Sequence, residues 1–480
     1  MIDIFHRQSR VNRRRFLGGM AVLGAVGVGS PANLLASLTT NAQLKEKLPS
    51  RSEFIVRGAY VMSMDSILGD IAGGDIHVRD GEIINVGKGL ITRNVEEIDG
   101  QDMIALPGLI DTHWHMWNTL LRSMSGDKKE HGYFPTSENL GKAFTSEDMY
   151  RGVFLAAIEA LFSGVTTVHD WNHNIRAPAY ADAALQALTE AGIRARFSYG
   201  YYQGQPYDEI TRLDDLARVQ REWFTNSSDR LITLGFASRG TECSPEINRR
   251  EWEAVREMEI PISVHANSSP QWTGEIEYLY KERMLGRDIQ VIHAISSTPA
   301  EIEMLAETGT SVSLSPYTEM RAGFGFPKTG NLLDAGVLVC LSVDTAALSG
   351  NADMFGVMKA IQNVENALAE NEFKLPPRRV LELATIDGAR ALGIAERVGS
   401  LKPGKRADLI LVSTKHINIG VFTDPAHLLV EAAQPMNVDT VIVDGRILKR
   451  RGQLTALDVN QVIHEANESL ATVRRRADWW

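Results

Sequence analysis

The middle of the chain, residues 107–395, alternates two patterns of apolar residues. Short apolar runs read as strands: Leu106–Ile110, Gly164–Val168, Arg196–Tyr199, Ile232–Phe236, Pro261–Val264, Ile289–Ile292, Ser311–Leu314 and Val337–Val343. Between several of them lie segments with apolar residues three and four apart, the period of a helix with one buried face. These are Ser146–Ser163, Ala179–Ala191 and Pro299–Thr308. Strands alternating with helices predict an α/β fold with a parallel sheet. Eight strands in roughly 290 residues fit a (β/α)8 TIM barrel, whose catalytic groups stand at the C-terminal strand ends.

The flanks are patterned differently. Residues 53–106 and 396–455 hold short strands with Asp-Gly turns, Asp80-Gly81 and Asp444-Gly445, which signal hairpins. Neither flank is long enough to bury a core alone. Together they predict one small β-sandwich, with the barrel, residues 107–395, inserted between its halves. Residues 456–480 read as a C-terminal helix, and Arg474, Arg475 and Arg476 near its end suit the helix dipole.

Residues 1–36 are patterned as a leader. Arg13-Arg14-Arg15 precedes the apolar, Gly-rich run Phe16–Gly29, and small residues follow up to Ala36. A basic start, a short apolar run and a small-residue site describe a signal peptide. The run is shorter than the roughly 18 apolar residues of a membrane span. The arginines before Phe16-Leu17 resemble a twin-arginine export signal. That predicts a periplasmic or extracellular enzyme, exported folded with its metal already in place.

Composition then narrows the class. At 480 residues and 44% hydrophobic, the chain can bury a large core. A net charge of -10 argues against nucleic acid as a partner. The two cysteines, Cys243 and Cys340, are spaced neither as a disulfide framework nor as a metal motif. A small-molecule substrate is expected, with no stable membrane span, and a homo-oligomer is compatible with the composition.

The chemistry lies at the strand ends. The first strand runs into His113-Trp114-His115, and residues two apart on a strand share a face. Both imidazoles can therefore aim at one point while Trp114 faces the other way. His265, His293 and Asp344 each directly follow an apolar run. Three or four histidines with one carboxylate suit zinc, and also iron, cobalt or manganese.

These residues carry a resemblance. With Pro107–His115, Val264-His265, Ile292–Ala294, Val343-Asp344 and Gly399–Leu409, the chain resembles the amidohydrolase superfamily, in its cytosine deaminase and chlorohydrolase branch. The resemblance covers most of residues 53–455. It implies one metal ion on His113, His115, His265 and Asp344. It implies that His293 hydrogen-bonds the substrate or the nucleophile, and that Asp344 shuttles the proton. No lysine or acid lies within Phe197–Tyr202 to bridge a second ion. A divalent ion lowers the pKa of its bound water toward ~7, which generates the nucleophile.

One departure is informative. Ring deaminases of this branch usually carry a glutamate three residues after the strand-five histidine; here that position is Ser268. Hydrolysis of an amide, urea or carbamate C–N bond needs no such acid and is the expected activity. Deamination of an aminated heterocycle, of cytosine, guanine or triazine type, and an inactive exported binding protein are the alternatives. Candidate substrate contacts are His169, His173, Trp117, Arg239 and Glu319. Glu319 could be an acid supplied from another loop, or a surface charge, and the sequence slightly favours the latter. Arg239 could hold a carboxylate or simply pair with an acid nearby.

Overall fold

The structure is a computed structural model and describes residues 48–224 and 231–479. The leader with its arginines lies outside the described residues. Eight parallel strands form the barrel, with helices between them. They are β1 (Leu109–Trp114), β2 (Val165–Asn172), β3 (Arg194–Gly200), β4 (Ile232–Ser238), β5 (Ile262–Ala266), β6 (Ile289–His293), β7 (Ser311–Leu314) and β8 (Val339–Leu341). The first and last meet just past the end of β8. There Asp344 N–H donates to His113 O at 3.0 Å, and His115 N–H donates to Asp344 O at 2.7 Å. Beneath them the buried Asp111 carboxylate accepts the backbone N–H of His113 and of Val343, each at 3.1 Å.

The flanks pair as expected. Met103–Pro107 runs antiparallel to Leu409–Ser413, which joins N- and C-terminal strands in one nine-stranded sheet with its own apolar core. The apolar run read as a single first strand is in fact divided between the two sheets. Its division falls at Gly108, whose N–H donates to Asp408 O. A Cβ there would lie 2.0 Å from Thr166 Oγ1, so only glycine lets the chain cross at that point. The two sheets are tied by Arg194 of β3, whose buried guanidinium donates to both oxygens of Asp408 at 2.7 and 2.9 Å.

Two helices read from periodicity have the predicted limits, Ser146–Ser163 and Pro299–Thr308. Each opens on a threonine capping box and closes on a left-handed glycine, Gly164 or Gly309. The second box also serves the barrel mouth. Glu301 caps Thr298, and it also accepts a hydrogen bond at 2.8 Å from the side chain of Asn267, two residues past His265. Thr298→Ala is expected to cost about 1 kcal/mol of stability, the usual value of an N-cap. Chemical denaturation checks this, with unchanged metal content showing that Asn267 stays in place. The C-terminal helix, Val459–Ala477, lies against the barrel helices, with Arg476 and Ser469 both bonded to Asp148. Among the described residues no helix is long and apolar enough to cross a membrane.

Candidate metal centre

His113 and His115 project from the end of β1 toward the barrel axis, and Trp114 between them is buried in the core, as the strand's alternation requires. Nε2 of each histidine lies 3.2 Å from Asp344 Oδ1. The His265 ring centres 4.8 Å from that of His113 and 5.4 Å from that of His115. His113, His115 and His265 offer ligand atoms within 4.8 Å of one another, and so do His113, His293 and Asp344.

The protonation states suit a cation. His115 Nδ1 is 3.0 Å from the Trp171 carbonyl, which only accepts, so Nδ1 carries the hydrogen and Nε2 keeps its lone pair. Burial, with His173 beside it, pushes His115 down to about 3. Burial and the neighbouring histidines hold His113 and His265 well below the usual imidazole range. All three rings are therefore neutral near pH 7. Both ring nitrogens of His113 are buried without a hydrogen-bond partner. Buried polar atoms are almost always paired, so a ring with neither nitrogen satisfied fits a ligand awaiting an ion. The group could bind a metal.

Strained backbone marks the same layer. His293, Ala294 and Asp344 have φ of 77°, 54° and 65°, in the left-handed region that favours glycine. His293 ends β6 with Nε2 3.9 Å from Asp344 Oδ2 and Nδ1 in a hydrogen bond with Glu319 Oε1 at 3.1 Å. Burial alone would push His293 down. The Glu319 hydrogen bond and the Asp344 charge outweigh it and hold the imidazole above its usual value.

The remaining candidates separate by depth. His169, Trp171 and His173 alternate along β2 and just past its end, which continues four residues beyond the apolar run read as a strand. His169 is therefore not at the mouth. It lies fully buried in the barrel, bonded to the Thr112 carbonyl at 2.8 Å and the Ser198 hydroxyl at 2.7 Å. Trp171, overlooked in the sequence, stands among the histidines with its ring 4.4 Å from that of His265. His173 does line the cavity. Trp117 does not: it is buried behind His173 and donates its indole N–H to Nδ1 at 3.3 Å.

Arg239 borders the cavity, but its guanidinium is taken up by the carbonyls of Pro206 and Glu209 and by buried Glu251. It pairs with an acid instead of offering a free cation. Glu319 is not a surface charge. It is fully buried on the short helix Pro316–Arg321 after β7 and stands behind His293. Cys243 and Cys340 are buried free thiols.

The cavity above this layer measures about 290 Å³, at the lower end of small-molecule sites. Ser268 lines it with a hydroxyl, and Glu242, pushed up by burial, and Glu275 are the carboxylates that line it besides Asp344. A row of aromatic rings leads outward from His293. Phe324 is 5.7 Å from it, Trp272 is 6.1 Å from Phe324, and Phe134 is 6.0 Å from Trp272. Trp272 and Phe324 stand on the loops after β5 and β7, and Phe134 on the helix Tyr133–Ala143 that follows β1.

Residues 104–448 match the amidohydrolase family model. The chain belongs to the amidohydrolase family. This amidohydrolase is 31% identical over 441 residues to a 5'-deoxyadenosine deaminase of Methanosarcina mazei, covering 87% of this chain and 98% of that one. It is 31% identical over 411 residues to a 5-methylthioadenosine/S-adenosylhomocysteine deaminase of Carboxydothermus hydrogenoformans, covering 82% and 90%. An adenosine deaminase from Xanthomonas campestris with bound zinc has the same fold, with a TM-score of 0.80 at 23% identity over 89% of this chain and 100% of that one. The zinc complex of atrazine chlorohydrolase from Arthrobacter aurescens gives 0.79 at 22% identity over 87% and 100%.

Proposed function

We propose that this amidohydrolase uses one divalent ion, zinc by its donor set, to hydrolyse a non-peptide C–N bond of an amide, urea or carbamate carrying an aromatic group. His113, His115, His265 and Asp344 hold the ion: three neutral imidazoles and a carboxylate, the donor chemistry zinc prefers. The ion supplies Lewis acidity and acidifies its water toward a pKa of ~7.

The chain's own groups do the rest. Asp344 is the carboxylate nearest the centre and carries a proton from the nucleophile to the departing nitrogen. His293 Nε2, beside Asp344, meets the oxygen on which charge develops. The row of Phe324, Trp272 and Phe134 packs against a planar substituent and shields the reacting carbon from bulk water. Ser268 carries the choice of a carbonyl substrate. It occupies the cavity wall with a hydroxyl that cannot act as a general acid for a ring nitrogen at neutral pH.

A second reading, hydrolytic deamination of an aminated heterocycle, is favoured by the deaminase relatives and by the planar shape that the aromatic row accommodates. A panel separates the two. The zinc-loaded enzyme is offered N-phenyl amides, ureas and carbamates beside 5'-deoxyadenosine, cytosine and amino-triazines, and released amine or ammonia is measured. Amine release from the carbonyl compounds is expected to dominate kcat/KM. Dominant ammonia release from the heterocycles replaces the first reading with the second.

A further inference from the structure

Glu319 poses a question that the metal centre leaves open. Its carboxylate is fully buried, and one oxygen, Oε2, has no hydrogen-bond partner. Burying an incompletely paired carboxylate is costly. A stable fold does not require it, because buried ion pairs can often be replaced by apolar residues without loss. The other oxygen, Oε1, accepts the Ser315 N–H at 2.8 Å and lies 3.1 Å from His293 Nδ1. Thr318, the residue before it, lines the cavity, whereas Glu319 lies behind His293. Glu319 therefore reaches the reacting atoms only through the imidazole.

His293 needs such support. Its backbone and that of Ala294 are both held at positive φ. Neither the strand end nor a preferred backbone conformation fixes the ring. An imidazole has two nitrogens, and the partner of one decides what the other can do. A carboxylate facing Nδ1 keeps a hydrogen there whether the ring is neutral or charged. Nε2 is then the nitrogen left to accept a hydrogen bond from the nucleophile or to donate one to the substrate. Its neighbour in that direction is Asp344 Oδ2, 3.9 Å away.

We propose that Glu319 is a positioning residue for His293: by taking the Nδ1 hydrogen it fixes the ring plane and tautomer, and presents Nε2 to the reacting group beside Asp344. This rests on the reading of the site as a hydrolytic centre, but not on which C–N substrate it takes.

The test uses the full chain. Glu319→Leu removes the acceptor, and Glu319→Gln keeps an amide oxygen facing Nδ1. Kinetics use the fastest substrate of the panel above, so a panel won by heterocycles overturns the carbonyl reading and leaves this test standing. Glu319→Leu is expected to lower kcat roughly 10²-fold, the scale of one general acid–base group. KM and zinc content should stay within about twofold, the mark of a group that acts after substrate binds. Glu319→Gln should recover most of kcat. In a His293→Gln background Glu319→Leu should cost nothing further, since coupled residues are not additive.

Nitrogen-15 spectra of the histidine-labelled, zinc-loaded protein, assigned with His293→Gln, read the tautomer directly. Wild type should show His293 protonated at Nδ1. A bare Nδ1 in wild type overturns the proposal, and this spectrum decides the matter even if Glu319→Leu does not fold. An undiminished kcat in a folded Glu319→Leu protein, or an equal loss with and without His293, overturns it as well.

Discussion

Replacing His113 with alanine is expected to remove bound metal and activity together. The ring is fully buried, with neither nitrogen hydrogen-bonded within the protein. Holding an ion is thus the role left to it. Disturbing even the groups behind metal ligands typically costs 10–100-fold in metal affinity, so losing a ligand should cost more than about 100-fold. His265→Ala should behave alike, because its ring closes the same triad. His169→Ala is the control: its ring is equally buried but bonds the Thr112 carbonyl and Ser198, so the variant should lose stability and keep its capacity to bind metal. Metal content by mass spectrometry, with kcat/KM and Tm measured on the same samples, checks all three. Stoichiometric zinc at wild-type affinity in His113→Ala would falsify the ligand assignment.

How much of this site the sequence discloses depends on where each residue stands on its strand. His113, His115, His265, His293 and Asp344 directly follow apolar runs, and the geometry of a barrel brings the ends of those runs to one rim. His169 shows the same dependence in reverse. The apolar run ended at Val168, but the strand continues to Asn172, so His169 lies two residues below Trp171. At about 3.3 Å per residue that puts it a full side-chain layer too deep to meet substrate.

Trp117, Arg239 and Glu319 show a different limit. The sequence shows that each is near the mouth, but not which way it faces, and each turns its polar atoms to a protein partner. Glu319 looks like a surface charge in Thr318-Glu319-Met320-Arg321, because nothing local announces that its helix tucks under His293. Phe134, on a helix, and Trp272 and Phe324, on loops, come from three separate connections, whose convergence is a tertiary fact with no period along the chain.

Substituting Ser268 with glutamate is expected to open the route to ring deamination. Attack on an aromatic amidine carbon places negative charge on a ring nitrogen, which must be protonated as the charge forms. Attack on a carbonyl carbon places it on oxygen, which fixed hydrogen-bond donors can hold without transferring a proton. Glu242 and Glu275 also line the cavity, so the substitution tests whether an acid is needed on the particular wall that follows His265. Ser268 occupies that wall, three residues after His265, 5% exposed and with nothing ionisable in its side chain. Glu319 cannot stand in directly, since His293 lies between it and the cavity. One positioned general acid contributes about 10²–10⁴ in rate. Ser268→Glu should therefore raise ammonia release from the heterocycles of the panel by about 10²-fold or more over wild type. It should leave zinc content unchanged and give no comparable gain on the carbonyl substrates. The measurement is kcat/KM for both classes at equal metal loading. A folded, zinc-loaded Ser268→Glu enzyme that gains nothing would show that the missing carboxylate does not set the substrate class. Fast deamination by the wild type would show that a group already lining the cavity, His293, Glu242 or Glu275, delivers the proton the ring requires.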